Sequence, residues 1–249
     1  GALLVGTSFA KGLALALNVP LIEVNHMQAH ILAHFIDEPK PKFPFLCLTV
    51  SGGHTQIVLV KSFLDMKIVG ETQDDAVGEA FDKVAKMMSL GYPGGPMVDR
   101  LAQQGNPEAF AFPESEMPGL NYSFSGIKTA VLYFLRDQLK QNEHFIEENK
   151  ADLAASVQKT LINMLLQKLR KAARKYKVNQ VAIAGGVSAN SGLRKRLAEM
   201  AGDEGWDVFI PAFEYCTDNA GMIAMAGHYK FLEGELVDQS VSALPRMKF

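Results

Sequence analysis

His26 and His30 stand four residues apart in His26-Met-Gln-Ala-His30. A helical turn takes about 3.6 residues, so two imidazoles at this spacing project from one face and can both reach a single metal ion. An apolar, strand-like run at residues 21–24 precedes the pair, and α/β proteins build ligand sites where a strand hands over to a helix. The same spacing also arises on a helix that shows two histidines to solvent or to each other, and the motif by itself does not choose. His34 lies a further turn along, drifted ~40° around the helix axis, and reads as a bystander.

Glycines mark two further places where chemistry could be done. Ser51-Gly52-Gly53 separates two β-rich runs, and consecutive glycines let backbone N–H groups converge on a phosphate or carboxylate, although a plain hairpin turn has the same composition. Gly185-Gly-Val-Ser-Ala-Asn190 follows an apolar run and opens a helix. Its glycines permit close approach of a ligand, and Asn190 can hydrogen-bond a ribose or a base. Glu79 and Asp82 share a helix face and either clamp hydroxyls or stay solvated. Asp218, at the entry to the last helix, suits an N-cap.

Basic residues gather at Lys168, Arg170, Lys171, Arg174, Lys175 and Lys177, and again at Arg194, Lys195 and Arg196. The first set closes a long helix, where the dipole favours cations; such a set can also meet RNA phosphates.

The elements that position these residues fall into two parts. Residues 7–18 read as a short apolar helix capped at Thr7 or Ser8, residues 19–25 as a strand and 26–35 as a second helix. Pro39, Pro41 and Pro44 then stiffen a connection that reads as a domain boundary. Beyond it, 45–50, 56–60 and 66–72 read as strands, 77–90 as helix, 151–177 as a long amphipathic helix and 180–184 as a strand. Residues 190–200 read as helix, 206–211 as strand and 219–232 as a last helix. Three meander strands followed by alternating helix and strand units form the pattern of one lobe of the actin-like, sugar-kinase and heat-shock-ATPase superfamily, an α/β class with two lobes around a nucleotide cleft. Residues 1–43 would be the C-terminal remnant of a first lobe truncated at its N-terminus. Residues 44–234 would be a complete second lobe with a helical insertion at about 77–150, and 235–249 a tail returning toward the first lobe. The chain opens on Gly1-Ala2-Leu3-Leu4-Val5 without methionine, as the middle of a protein would.

The bulk numbers narrow the field. With 249 residues, 48% of them hydrophobic and 21% charged, and a net charge of −2, the chain can bury an ample core. The near-neutral balance argues against a surface that is entirely a nucleic-acid footprint, while leaving room for a local basic patch. Cys47 and Cys216 make no disulfide framework, which fits a reducing cytoplasm. No apolar stretch reaches the ~18 residues of a membrane span.

Taken together, the motifs resemble one family, the tRNA N(6)-adenosine threonylcarbamoyltransferases (TsaD or Gcp, once described as O-sialoglycoprotein endopeptidases). The resemblance rests on His26-Met-Gln-Ala-His30, Val50-Ser-Gly-Gly-His-Thr55, Gly78-Glu-Ala-Phe-Asp-Lys83 and Tyr92-Pro-Gly-Gly-Pro96. Asn121-Tyr-Ser-Phe-Ser-Gly-Ile-Lys128, Gly185-Gly-Val-Ser-Ala-Asn190 and Thr217-Asp-Asn-Ala220 extend it across the chain. It implies that His26, His30 and Asp218 hold one divalent metal per subunit, iron favoured over zinc. It further implies that Thr49, Val50, Ser51, Gly52, Gly53, Asp82, Gly95, Asp99 and Asn190 hold threonylcarbamoyl-adenylate, or AMP or ATP. Transfer to the adenosine beside the tRNA anticodon would release AMP. The implied partners are tRNA, a same-fold paralogue, a P-loop ATPase and the adenylate synthase of the pathway, together with a homodimer, and no membrane.

A metalloprotease is disfavoured, because H-E-x-x-H requires a glutamate where Met27 stands. An actin-like ATPase or small-molecule kinase would account for the fold but not for two histidines, since such enzymes hold Mg²⁺ with carboxylates and phosphates. A non-catalytic dimerisation paralogue would be expected to lack the histidine pair. The family's first phosphate loop has no counterpart in this sequence, so the fragment is expected to show little transfer alone.

Overall fold

The computed structural model describes residues 1–244 and 247. Strands β1 (Phe45–Val50), β2 (Thr55–Val60) and β3 (Met66–Glu71) form an antiparallel meander. Strands β4 (Gln180–Ala184) and β5 (Asp207–Phe209) extend it in parallel, in the order β3-β2-β1-β4-β5. This is the expected lobe topology of the actin-like class. Every residue of β1 is buried, as a central strand covered on both faces requires.

Helices cover the two faces unequally. The larger layer contains α3 (Val77–Met87), α4 (Gly94–Ala102), α5 (Ser125–Leu139), α6 (Phe145–Tyr176) and α7 (Ser191–Glu204), packed on Leu46, Leu48, Val50 and Ile57. The alternation of β1 side chains sends Phe45 and Cys47 to the opposite face. There they meet α2 (His26–Leu32) and α9 (Ala220–Leu232) through Ile31, Leu32, Met222 and Ala226. Asn25 starts α2 by accepting hydrogen bonds from the Met27 and Gln28 amides at 2.9 and 3.1 Å, as an N-cap does. His34 sits in a 3-10 turn at Ala33–Phe35, and its Nε2 lies 2.9 Å from the carbonyl oxygen of Ile183. That bond ties the end of α2 to β4.

Several elements differ from expectation. The first helix, α1, is Ala2–Leu17; it begins well before Thr7, because Ala2 to Val5 are as compatible with a helix as the residues after them. Residues 19–25 form no strand: they are extended chain with a single bridge, Leu21 to Val237 in the tail. The long helix α6 starts at Phe145 rather than 151, with Glu147 and Glu148 favourably placed in its first turn.

Candidate metal centre and neighbouring cavity

Three parallel strands end on the same side, and the segments after them carry the site, the placement the α/β switch-point rule calls for. After β1 comes the turn 51–54, after β4 the segment 185–190, and after β5 the short helix α8 (Phe213–Cys216), which leads to Asp218. Asp218 is the middle residue of the three-residue link, Thr217 to Asn219, between α8 and α9. The residue that caps α9 is Asn219, whose Oδ1 accepts from the Met222 amide at 2.8 Å. The N-cap reading of Asp218 is therefore corrected: its neighbour does that work.

The Asp218 carboxylate turns instead to the histidine pair. Its Oδ1 lies 3.3 Å from His26 Nε2 and 3.2 Å from His30 Nε2. The two imidazoles meet edge to face with centroids 4.8 Å apart, and the ligand-capable atoms of all three residues fall within 4.8 Å of one another. Ligand atoms held ~2.1 Å from a tetrahedral ion stand ~3.4 Å apart, so both Asp218–histidine separations match a metal site and the two histidine nitrogens, within 4.8 Å, need only draw together slightly around an ion. Burial, and next the neighbouring His26, hold the His30 pKa below its ordinary value, with Asp218 opposing. His30 is thus neutral at pH 7, as a ligand must be. Its Nδ1 is buried without a hydrogen-bond partner among the described residues, and its Nε2 is the ring nitrogen turned toward Asp218. Two imidazoles and a carboxylate suit zinc or iron, so the residues fit the implied group. His54 stands close by, its pKa lowered by burial and then by His26.

A cavity of about 380 Å³ lies alongside, and Gly52, Asp82, Gly95, Asp99 and Asn190 are among its lining residues, with Phe81, Tyr92 and Arg100. The turn 51–54 belongs to both places: Gly52 lines the cavity and His54 faces the histidine pair. Thr49 and Val50 stand behind this wall within β1. The Thr49 hydroxyl donates to the Gln56 carbonyl at 3.3 Å. Ser51 gathers the turn, its Oγ accepting from the amides of Gly53 and His54 at 3.3 and 3.0 Å. Two amides expected to converge on an anion are thus bonded within the turn, by a hydroxyl whose own proton those bonds do not use.

The polar lining residues frame the cavity by capping helices that point at it. Asp82 Oδ1 accepts from the amides of Gly94 and Gly95 at 2.8 and 3.2 Å, at the start of α4. Asp99 accepts from the Ser191 amide at 3.0 Å and the Ser191 hydroxyl at 2.8 Å, at the start of α7. Asn190 caps α7 through the Leu193 amide at 2.8 Å and donates to Gln158 Oε1 at 2.7 Å. Glu79 forms an ion pair with Lys83 at 2.7 Å and is not among the lining residues.

Two glycines are required by close approach. A Cβ on Gly78 would stand 2.5 Å from the Ser51 carbonyl oxygen and 2.8 Å from Gly52 Cα, so α3 can press on the turn only with glycine there. Gly185, at φ 87° and ψ 168°, holds a conformation reserved for glycine, and its Cβ would meet the Val50 carbonyl oxygen at 2.5 Å.

Gln158 escaped the sequence reading, and Arg194 stands in it only as part of a basic cluster, not as a residue facing the site. Gln158 is a buried polar residue on the apolar side of α6, the one signal that could have marked it. The basic run on α6 is largely absorbed by the fold. Arg170 and Arg174 pair with Glu204 at 3.1 and 2.8 Å, and the buried Lys168 ammonium donates to the carbonyls of Met117 and Gly119 at 2.5 and 2.9 Å.

Fold and site together define an actin-like α/β lobe with a His-His-Asp centre beside a glycine-walled cavity. Residues 1–225 match the family TsaD, tRNA N6-adenosine threonylcarbamoyltransferase, and the chain belongs to that family. The enzyme of that name from Cytophaga hutchinsonii is 60% identical over 248 residues, covering 100% of this chain and 72% of its own length. The one from Christiangramia forsetii is 58% identical, covering 100% of this chain and 74% of its own. Among solved structures, full-length HypF in its phosphate- and nucleotide-bound form superposes with a TM-score of 0.66 at 15% identity, over 91% of this chain and 38% of that one. At that identity the likeness shows the fold.

Proposed function

We propose that the protein transfers the threonylcarbamoyl group of threonylcarbamoyl-adenylate to the N6 amine of the adenosine at tRNA position 37, next to the anticodon, releasing AMP. One observation carries the reading: in a chain of this family, His26, His30 and Asp218 converge beside a glycine-walled cavity.

His26, His30 and Asp218 would hold the divalent metal, iron favoured and zinc the alternative. The bound ion supplies Lewis-acid polarisation of the carbamoyl or phosphate oxygens. The Gly52 amide, on the cavity wall, would be the turn's backbone donor to the phosphate that leaves, with Gly53 keeping the turn free of a side chain. The N-termini of α4 and α7 direct their positive dipole ends at the same space. Gly95 admits the nucleotide, and Asp82, Asp99 and Asn190 shape its walls. Asp82 has an oxygen outside its two capping bonds for a hydroxyl. Thr49 and Val50 support the turn from β1, and the Ser51 hydroxyl proton is available to the phosphate. The N6 amine attacks the carbamoyl carbon directly: an N–C bond forms, the C–O bond to the phosphate breaks, AMP leaves with the electron pair and the amine proton passes to solvent. No side chain is assigned as a nucleophile.

Residues 1–43 are proposed as the end of a first lobe, 44–234 as the second and the tail from 235 as a return to the first; residues 245, 246, 248 and 249 of that tail lie outside the described residues. Val237 bridging Leu21, and Gln239 joined to Lys11 at 2.8 Å, support that return. No helix among the described residues is long and apolar enough to cross a membrane, and two buried, unpaired cysteines suit the cytoplasm. A same-fold paralogue, a P-loop ATPase, the adenylate synthase and a second copy of the chain are the proposed protein partners.

The test is direct. Protein carrying both proposed lobes, supplied with threonylcarbamoyl-adenylate and unmodified tRNA, should yield threonylcarbamoyladenosine in the tRNA and an equal amount of AMP, whereas ATP and threonine alone should yield neither and residues 1–249 alone should transfer little. AMP release with no modified base would overturn the reading.

A further inference from the structure

We propose that Arg194 is the positioning residue that sets Asp218 against the histidine pair and ties its placement to the cavity wall. The proposal rests on the metal reading above. Arg194 lies on α7 in a basic run, where a solvated side chain would be expected, yet its guanidinium is turned inward. Nε donates to the Ser188 carbonyl at 2.8 Å, and Nη2 donates to the Pro211 carbonyl at 2.8 Å and to Cys216 Sγ at 3.1 Å. The plane of the group covers the Phe213 ring, with Cζ 4.1 Å from its centroid.

These contacts fall on the two segments that make the site. Ser188 belongs to the 3-10 turn Gly186–Ala189, whose Gly186, Val187 and Ala189 line the cavity. Pro211, Phe213 and Cys216 belong to the segment that delivers Asp218. Beyond Asp218 the chain is held by Asn219, which caps α9 and whose Nδ2 donates to the Thr217 carbonyl at 3.0 Å. On the near side Arg194 is the side chain that reaches Pro211, Phe213 and Cys216 together. Asp218 is itself 77% exposed, so packing around its own side chain does little to fix it. Its position against His26 and His30 is set by these two anchors, one at each end of the link.

Only a planar fork does this. Arginine presents donors in fixed directions and stacks on an aromatic face, while a lysine ammonium can replace one contact at a time. Residues that orient ligands from behind typically contribute 10–100-fold to metal affinity. Arg194→Lys is therefore expected to lose most of that contribution despite keeping its charge.

The experiment uses Co²⁺, whose visible absorption reports coordination geometry, titrated into apo-protein of wild type, Arg194→Lys, Arg194→Met and Asp218→Ala, with thermal unfolding followed in parallel. Wild type should take up one Co²⁺, Asp218→Ala should bind it weakly, and both Arg194 variants should bind it at least tenfold more weakly with an altered spectrum. A folded Arg194→Lys protein with wild-type Co²⁺ affinity and spectrum, whatever its melting temperature, would overturn the proposal, since a purely structural arginine would lower stability alone. If Arg194→Met does not fold, Arg194→Lys decides. A wild type whose Co²⁺ uptake is absent, or is unaffected by Asp218→Ala, would remove the metal reading itself and this proposal with it.

Discussion

Asn219 caps α9 through the Met222 amide, and the cap leaves the adjacent Asp218 carboxylate outside the helix, 3.2 Å from His30 Nε2. Neighbouring residues of nearly equal size thus divide two tasks, stability and ligation. Asp218→Asn should weaken metal retention tenfold or more and abolish transfer. Because the side chain is exposed, its stability should change by no more than about 0.5 kcal/mol. Asn219→Ala should cost about 1 kcal/mol as a lost cap. Metal analysis and urea unfolding of the two variants, side by side, check the division; equal stability losses would refute it.

The turn between β1 and β2 separates ligand space from packing space. A Cβ on Gly53 meets no atom within 4 Å, so Gly53→Val should fold with little change in melting temperature while binding AMP at least tenfold more weakly. Calorimetric titration with AMP measures this. A parallel loss of stability and binding would mark the turn as structural only.

Gly185 makes the opposite prediction. Gly185→Ala would force a side chain into a glycine-only conformation and against the Val50 carbonyl at 2.5 Å. The backbone strain alone is about 1–3 kcal/mol. The folded protein should lose at least about 2 kcal/mol in urea unfolding, with nucleotide affinity falling in step because β1 and the 185–190 turn move apart. A melting temperature equal to wild type would contradict the packing described.

Much of this architecture is legible in the chain because period-two and helical patterns survive in it. β1 and β4 are bounded as expected, at Phe45–Val50 and Gln180–Ala184, since each is a short apolar run between polar breakers. Residues 19–25 mislead for the same reason, being largely apolar, yet among the described residues their β pairing is one isolated bridge, Leu21 to Val237. The histidine spacing placed two imidazoles on one face correctly. What spacing could not supply is the third dimension: that Asp218, nearly two hundred residues away, faces them through Oδ1. Local pattern is equally silent on Arg194, which reads as one of several surface cations and becomes a brace only when Ser188, Pro211 and Cys216 are brought around it.

His34 carries the last prediction. It is buried against β4, and burial holds its pKa down to about 4, opposed by the bond to the Ile183 carbonyl. The ordinary value is 6.5, so between these limits the unfolded chain binds a proton that the folded protein refuses. The His34 contribution is therefore complete above pH 6.5 and is lost as pH falls toward 4. Linkage gives a loss of about 2 kcal/mol by pH 4.5. His34→Leu cannot titrate; it should be less stable than wild type at pH 7, because the Ile183 carbonyl is left buried without its partner. The stability gap should then narrow by about 2 kcal/mol on going from pH 7 to pH 4.5. Urea midpoints at the two pH values for both proteins provide the measurement, and a gap that stays constant across that range would show that His34 takes up its proton equally in the folded and unfolded chain.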